Sequence, residues 1–338
     1  MRRSTAKRRR GAVLVTGGAG YVGSFTVRAL VARGEEVVVL DDLSKGHRAA
    51  LPRGVPLVKA RIQDRAALRR LLRARPFDAV LHFAAHAYVG ESMLEPWKYW
   101  DNNVAGTAAL LDEVLAAGVP GFVLSSSCTV YGVPRTRRIA EDAPRAPVNP
   151  YGRTKAACEQ MLEDLASRGA LRSFRLRYFN AAGAAADGAL GEDHAPETHL
   201  VPLAAAAALR GTALRVFGDD YPTPDGTCIR DYVHVEDLAD AHAAAVARLR
   251  GGHAGGALNL GTGRGASVLE VVRAVEEVSG RKVRLRVGPR RPGDPPRLVA
   301  APGRAPEVLG WDPRYRRIGE IVATVWDRLR SHPRGYGR

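Results

Sequence analysis

This 338-residue chain is poor in cysteine, lysine and aromatic residues, and each shortage excludes something. Its three cysteines, Cys128, Cys158 and Cys228, are odd in number and lack metal-ligand spacing. A disulfide framework and a cysteine metal site are therefore not expected, and a reducing, cytoplasmic setting is. No apolar run approaches the length of about 18 residues that a membrane-spanning helix needs, so no membrane partner is expected. The basic start, Met1–Arg10, is not followed by an apolar stretch and does not read as a secretory signal. Net charge is +16, yet only six of the 51 basic residues are lysine, and six basic residues crowd into those first ten positions. No nucleic-acid-binding motif accompanies them, so residues 1–10 read as a solvated, disordered arm and no specific nucleic acid is expected as partner. Internal repeats are also lacking.

What is present begins with Gly11–Thr16 (GAVLVT), a short apolar, β-branched run that reads as a buried parallel strand. Gly17, Gly20 and Gly23 follow in a GxxGxxG spacing, ahead of a helical stretch to about Arg33. The first glycine permits a tight turn, the second lets backbone approach a pyrophosphate, and the third allows close helix–strand packing. The pyrophosphate would rest on the helix N-terminus. A second strand, Glu36–Leu40, ends at Asp41, 18 residues past Gly23. A carboxylate there accepts both adenosine ribose hydroxyls and repels a 2′-phosphate, which favours NAD over NADP; alternatively, Asp41 simply ends the strand.

Further strands are expected at Val55–Lys59, Ala79–His82, Gly121–Leu124 and Arg172–Tyr178, with helices near Arg65–Arg73 and Trp97–Ala117. This alternation predicts an α/β, Rossmann-type, doubly wound parallel sheet. Ligands bind at the carboxyl ends of such strands, so His82–Ala85 and Ser125–Ser127 should face a cofactor. Beyond Gly169 the pattern changes. Asn180–Thr198 reads as a long loop, and short strands and helices follow to the C-terminus. The expected organisation is a dinucleotide-binding domain over 11–180, completed near 230–262, interleaved with a smaller mixed α/β lobe over 181–338.

The most informative run is Asn149-Pro150-Tyr151-Gly152-Arg153-Thr154-Lys155. Pro150 suits a first helical turn, and the helix should run to about Gly169. Tyr151 and Lys155, at i and i+4, leave one face of it. An ammonium beside a phenol favours the phenolate, which makes Tyr151 a candidate general base for an alcohol. A YxxxK pair alone is also compatible with an ordinary helix surface; the strand, glycine turn and serines that precede it supply the context.

With those motifs in place, the sequence resembles the extended short-chain dehydrogenase/reductase family and, within it, the UDP-glucose/UDP-galactose 4-epimerase branch. The matching stretches are Val15–Ser24, Leu40–Arg48, His82–Ser92, Tyr99–Thr107, Ser125–Gly132, Asn149–Lys155, Arg177–Gly183, Asp219–His242, Leu258–Gly263 and Arg290–Asp294. The resemblance implies that Tyr151 is the acid/base, that Lys155 binds the nicotinamide ribose and lowers the tyrosine pKa, and that Ser127 hydrogen-bonds the reacting sugar oxygen. It implies a dinucleotide site formed by Gly17, Gly20, Tyr21, Val22, Gly23, Asp41, Asp42, Ser44, Arg61, Ile62, Phe83, Ala84, Ala85, Asn102, Ser125, Tyr151, Lys155 and Tyr178. It also implies a UDP-sugar site from Ser127, Tyr151, Asn180, His199, Leu200, Phe217, Arg230, Arg291, Asp294 and Leu298. No metal is implied, and a homodimer through Trp97–Ala117 and Tyr151–Ser167 is.

The implied reaction is reversible C4 epimerisation of a UDP-hexose through a 4-keto sugar. Three departures from the family pattern stand out. Arg61 replaces an acidic residue near the adenine. His199 replaces an asparagine, which would make a phosphate contact pH-dependent. Leu298 stands where some members carry a bulky tyrosine, so N-acetylated UDP-hexoses should fit. The nearest rival is a UDP-pentose 4-epimerase; a 4,6-dehydratase would need an acidic pair beside Ser127, and Cys128-Thr129-Val130 offers none. A non-catalytic NAD-binding sensor is the rival from another class, and it would have no need of the base.

Overall fold

The computed structural model describes residues 10–291 and 293–337, so the basic arm, Arg10 apart, lies outside the described residues. The first half of the chain alternates β1 (Ala12–Thr16), α1 (Tyr21–Ala32), β2 (Val37–Asp41), β3 (Leu57–Lys59), α2 (Arg65–Ala74), β4 (Phe77–His82), α3 (Val89–Leu94), α4 (Pro96–Tyr99), α5 (Gly106–Ala116), β5 (Gly121–Ser127), α6 (Pro150–Ser167) and β6 (Arg172–Tyr178). The second half holds β7 (Asn180–Ala182), α7 (Leu200–Arg210), β8 (Ala213–Phe217), β9 (Ile229–His234), α8 (Val235–Arg250), β10 (Gly255–Leu260), β11 (Gly265–Ser267), α9 (Val268–Ser279), β12 (Arg284–Gly288), β13 (Arg297–Leu298), α10 (Ala305–Leu309) and α11 (Ile318–Ser331).

Seven strands form one parallel sheet in the order β10-β6-β5-β4-β1-β2-β3. Both faces are buried, and the period-two alternation of side chains shows how. Val13 and Val15 of β1 point into a core shared with α1 and α8, whereas Ala12 and Leu14 join one shared with α2, α5 and α6. The α/β doubly wound fold read from the sequence is the fold observed. Its strand order reverses between β1 and β4, and that reversal opens a crevice at their carboxyl ends.

A smaller assembly lies over that end. β9 pairs with β7, β11 and β13, β8 pairs with β12, and α7, α9 and α11 pack around a third core. The expected loop over 180–198 is shorter than predicted, because Asn180–Ala182 is drawn into β7 by pairing with Tyr232–His234. The helix expected over Trp97–Ala117 is likewise not continuous. Between α4 and α5, Trp100–Ala105 forms a wider π-helical turn, in which the Gly106 N–H donates to Asp101 O.

Candidate active site

Two of the tasks expected of the glycine turn after β1, the tight turn and the close packing, are visible in its geometry. Gly17 has φ of +71°, and a Cβ there would meet Ala84 N at 2.4 Å, so the turn lies flush against the loop after β4. A Cβ on Gly23 would sit 2.2 Å from Gly17 O, which is the close helix–turn packing anticipated. Gly20 caps α1 without a side-chain hydrogen bond, and no acidic residue occupies the first turn. The N–H groups of Tyr21, Val22 and Gly23 therefore point into the crevice with the positive end of the helix dipole behind them. Val22 packs its side chain on the core, and the Tyr21 hydroxyl donates to Gly183 O at 2.6 Å.

Asp41 ends β2 and is buried. Its two oxygens accept from Ala19 N at 2.9 Å and Leu43 N at 2.8 Å, which locks its orientation at the lip of the crevice. Burial raises its pKa, and those two N–H donors oppose the rise. Each oxygen keeps a lone pair for a hydroxyl donor. Asp42 accepts from the N–H of exposed Ser44 at 2.9 Å. Exposed Arg61 pairs with Asp101 at 3.7 Å, while neighbouring Ile62 turns its side chain into the core against Gly106. After β4, the Phe83 ring lies 4.7 Å from that of His242, and Ala84 and Ala85 follow half-buried.

Strand alternation divides the residues expected to face the cofactor. His82 turns away from the crevice, its ring nitrogens 2.7 Å from Thr16 Oγ1 and 2.8 Å from Thr107 Oγ1. Ser126 turns away too, donating to Glu159 Oε1 at 2.5 Å. Glu159 in turn receives bonds from the buried Arg177 guanidinium. That leaves Ser125 and Ser127 of the serine run for the crevice side of the sheet end.

Around them the catalytic candidates converge. Asn149 caps α6 by accepting from Gly152 N at 2.8 Å, and Pro150 occupies the first turn. The first two turns thus bring Tyr151 and Lys155 under the end of β5, both buried. Lys155 Nζ donates to Ser125 O at 2.7 Å and lies 5.9 Å from the centroid of the Tyr151 ring. Ser127 Oγ accepts from Thr129 Oγ1 at 3.0 Å, and Tyr178 Oη lies 2.5 Å from Ser125 Oγ. The electrostatics correct the expectation of a phenol depressed by its lysine. Burial raises the Tyr151 pKa, with only Ser127 pulling noticeably the other way, and burial lowers Lys155 to about 8. In the protein by itself Tyr151 is a neutral phenol.

The π-helical turn sets the opposite wall. It carries Asn102, whose amide donates to Asn103 Oδ1 at 3.1 Å. The sequence pointed to Asn102 but missed Asn103, which is buried and clamps the His86 backbone at both N–H (2.9 Å) and C=O (3.0 Å) while donating to Thr154 Oγ1 at 3.1 Å. Asn-Asn in an otherwise apolar helical stretch was the available signal.

The smaller assembly supplies the remaining candidates. Buried Arg230 on β9 is paired with Asp294 and donates to Ile229 O at 2.8 Å. Exposed Arg291 stacks 4.0 Å over the Phe217 ring, and Arg215 approaches the same ring at 4.8 Å. Asn180 opens β7, and Leu200 opens α7. Leu298 is not at an open gate: it pairs with Arg230 and packs among Cys128, Ile139 and Phe179, directly behind the segment that follows Ser127. His199 precedes α7 with Nδ1 2.5 Å from Glu192 Oε1 and 3.1 Å from Glu197 Oε1. Those carboxylates raise it to about 10. Glu192 and His194 beside it were not singled out from the sequence, although the spacing Glu-x-His-x-x-Glu-x-His was visible.

Comparison with known proteins agrees with this geometry. The profile of the NAD dependent epimerase/dehydratase family matches residues 13–261. A UDP-glucose 4-epimerase of Azospirillum brasilense is 50% identical over 94% of this chain and 92% of its own. The solved structure of UDP-glucose 4-epimerase from Brucella ovis in complex with NAD superposes with a TM-score of 0.90 at 48% identity, covering 94% of this chain and 98% of that one. One from Stenotrophomonas maltophila, with bound NAD and formylated UDP-arabinopyranose, gives 0.92 at 42% identity over 96% and 99%. The chain belongs to the NAD-dependent epimerase/dehydratase family.

Proposed function

We propose that this enzyme catalyses NAD-dependent, reversible epimerisation at C4 of a UDP-hexose, interconverting UDP-glucose and UDP-galactose. The observation that carries the reading is the convergence of Ser127, Tyr151 and Lys155 at the end of β5, beside a helix N-terminus left uncapped. The crevice fits a dinucleotide: the α1 N–H groups meet a pyrophosphate, Asp41 meets a ribose, and Phe83, Asn102, Ser125, Tyr178 and Lys155 line the nicotinamide end. Bound there, the dinucleotide supplies the two-electron acceptor and donor for C4, and its oxidised ring adds a positive charge that favours the Tyr151 phenolate.

The protein's own part is proton transfer and grip. Tyr151 Oη takes the proton of the sugar 4-hydroxyl and returns it to the 4-keto oxygen after the sugar has turned over. Ser127 Oγ holds that oxygen, and Lys155, anchored on Ser125 O, fixes the pocket's charge. Asn180, Arg230 and Arg291 grip the UDP end, with Arg230 held in register by Asp294 and the Phe217 ring offered to the base. With anchoring confined to the nucleotide, the sugar is free to present either face. Leu298, shorter than a tyrosine and packed behind Ser127, keeps bulk out of the sugar pocket, which extends the substrate range to the N-acetylated pair.

A homodimer accompanies this reading, supported by Met93, Leu94 and Trp97, which are 45%, 84% and 78% exposed on α3 and α4. Among the described residues no helix is long and apolar enough to cross a membrane, and we assign the protein to the cytoplasm on its three free thiols. The deciding experiment incubates purified protein with UDP-galactose, UDP-N-acetylgalactosamine and UDP-arabinose, no cofactor added, and resolves the C4 epimers. Conversion of the hexoses is expected. Conversion of the pentose alone would move the assignment to the pentose branch, and no conversion even with NAD supplied would overturn it.

A further inference from the structure

The segment between β7 and α7 brings together four side chains that the epimerisation chemistry does not use as a group. Glu192, His194, Glu197 and His199 each offer one ligand atom, and the four atoms lie within 4.8 Å of one another. Glu192 Oε1 is 3.0 Å from His194 Nδ1 and 2.5 Å from His199 Nδ1. Glu197 Oε1 lies 3.1 Å from His199 Nδ1, and Glu197 Oε2 lies 3.8 Å from His194 Nδ1. Four donors around a cation at 2.0–2.1 Å stand about 3.3 Å apart, so these separations bracket a tetrahedral cage.

A second observation points to an occupant. The Glu192 side chain is only 5% exposed, and although its Oε1 lies within ion-pair reach of both imidazoles, neither approach has hydrogen-bond geometry, which leaves that oxygen and the His194 Nδ1 without a hydrogen bond. Buried polar atoms in native proteins are satisfied, and each exception calls for an ion, a water or a strained role. The Tyr88 hydroxyl, whose ring stands edge-on to His194 at 5.8 Å, is a third buried atom without a partner. Glu197, by contrast, is already oriented, because Oε1 accepts from Thr198 N at 2.7 Å and His199 N at 2.8 Å, leaving Oε2 free.

We propose that Glu192, His194, Glu197 and His199 form a binding site for one divalent transition-metal ion of the zinc class. Two imidazoles and two carboxylates suit zinc and its neighbours; the all-oxygen, six-or-more-coordinate preference of magnesium and calcium does not match. Two carboxylates also neutralise a divalent ion, so that this part-buried pocket closes without net charge. The role is structural. The same segment is tied to the loop after β2 by Lys45 Nζ on Ala195 O at 2.8 Å and His47 Nε2 on Asp193 O at 2.9 Å. A metal here would fix the start of α7 against the dinucleotide loop.

The test uses tag-free, full-length protein stripped with EDTA and titrated with Zn²⁺ against a chromophoric chelator, with Mg²⁺ as comparator. One equivalent of zinc per chain is expected, with magnesium far weaker. Glu192→Gln and His194→Gln should each weaken zinc by about 100-fold or more, and His253→Gln, which stacks on Phe174 at the opposite end of the sheet, should not. Thermal midpoint should rise with zinc in the parent and not in the two variants. Should those variants misfold, X-ray absorption on the zinc-loaded parent decides alone: a nitrogen/oxygen shell with the imidazole signature supports the site. Absence of a bound equivalent, sulfur in the shell, affinity unchanged in both variants, or magnesium binding as tightly as zinc would overturn it.

Discussion

Tyr151 and Lys155 show how much one residue's chemistry depends on what surrounds it. Spacing alone places both on one helix face, but burial then pushes the phenol up and the ammonium down, opposite to the simple pairing of charges. Proton transfer therefore depends on the phenol being present at the reacting oxygen. Tyr151→Phe keeps the ring, its edge-to-face contact with Tyr99 at 6.4 Å and the fold. It should lower kcat by about 10² to 10⁴-fold, the usual worth of a positioned acid/base, with UDP affinity unchanged by calorimetry. A loss of less than tenfold would mean that another group carries the proton. Leu298 is the residue we propose for specificity, because it packs in one cluster with Cys128 behind the serine. Leu298→Tyr should reduce kcat/KM for UDP-N-acetylgalactosamine by about tenfold or more relative to UDP-galactose, within the range a reshaped pocket achieves. An unchanged ratio would remove Leu298 from the specificity argument.

The elements differ in how openly the sequence announces them. Apolar β-branched runs read as parallel strands, and the glycine spacing with strand before and helix after placed the crevice, because those signals are local. The catalytic helix was legible for the same reason: Asn149 and Pro150 mark its start. Three features were not, and all are tertiary. The π-helical turn at Trp100–Ala105 reads as plain helix in the sequence, and only packing against α6 selects the extra residue. β7 exists because β9 accepts it. The facing of His82 and Ser126 depends on which side of the sheet a strand end presents. Asn103 ties the π turn to both neighbours through three hydrogen bonds. Asn103→Ala strands buried backbone groups at His86 and should cost about 2–4 kcal/mol by urea denaturation, with weaker cofactor retention. A loss below about 1 kcal/mol would show that the turn is held elsewhere.

At the scale of the molecule, two consequences follow from what is exposed and what is buried. The apolar triplet Met93, Leu94 and Trp97 is free on one face, so Leu94→Asp with Trp97→Asp should convert a dimer into a folded monomer, read by light scattering after gel filtration. A parent already monomeric at micromolar concentration would refute the dimer. The second consequence concerns acid. Burial lowers His82 and His234 to about 3 and His242 to about 4, from an ordinary 6.5. Below pH 6.5 the unfolded chain takes up protons that the folded chain refuses, so stability falls with falling pH until the folded values are reached. Each histidine contributes about 1.4 kcal/mol per pH unit in that window, and three contribute about 4. The urea midpoint at fixed protomer concentration should therefore drop steeply between pH 6 and pH 5. His242→Phe, which keeps a ring against Phe83 while removing a titrating group, should flatten that slope by about a third. If the slope is unchanged in His242→Phe, the acid sensitivity resides in the carboxylates and not in the buried histidines.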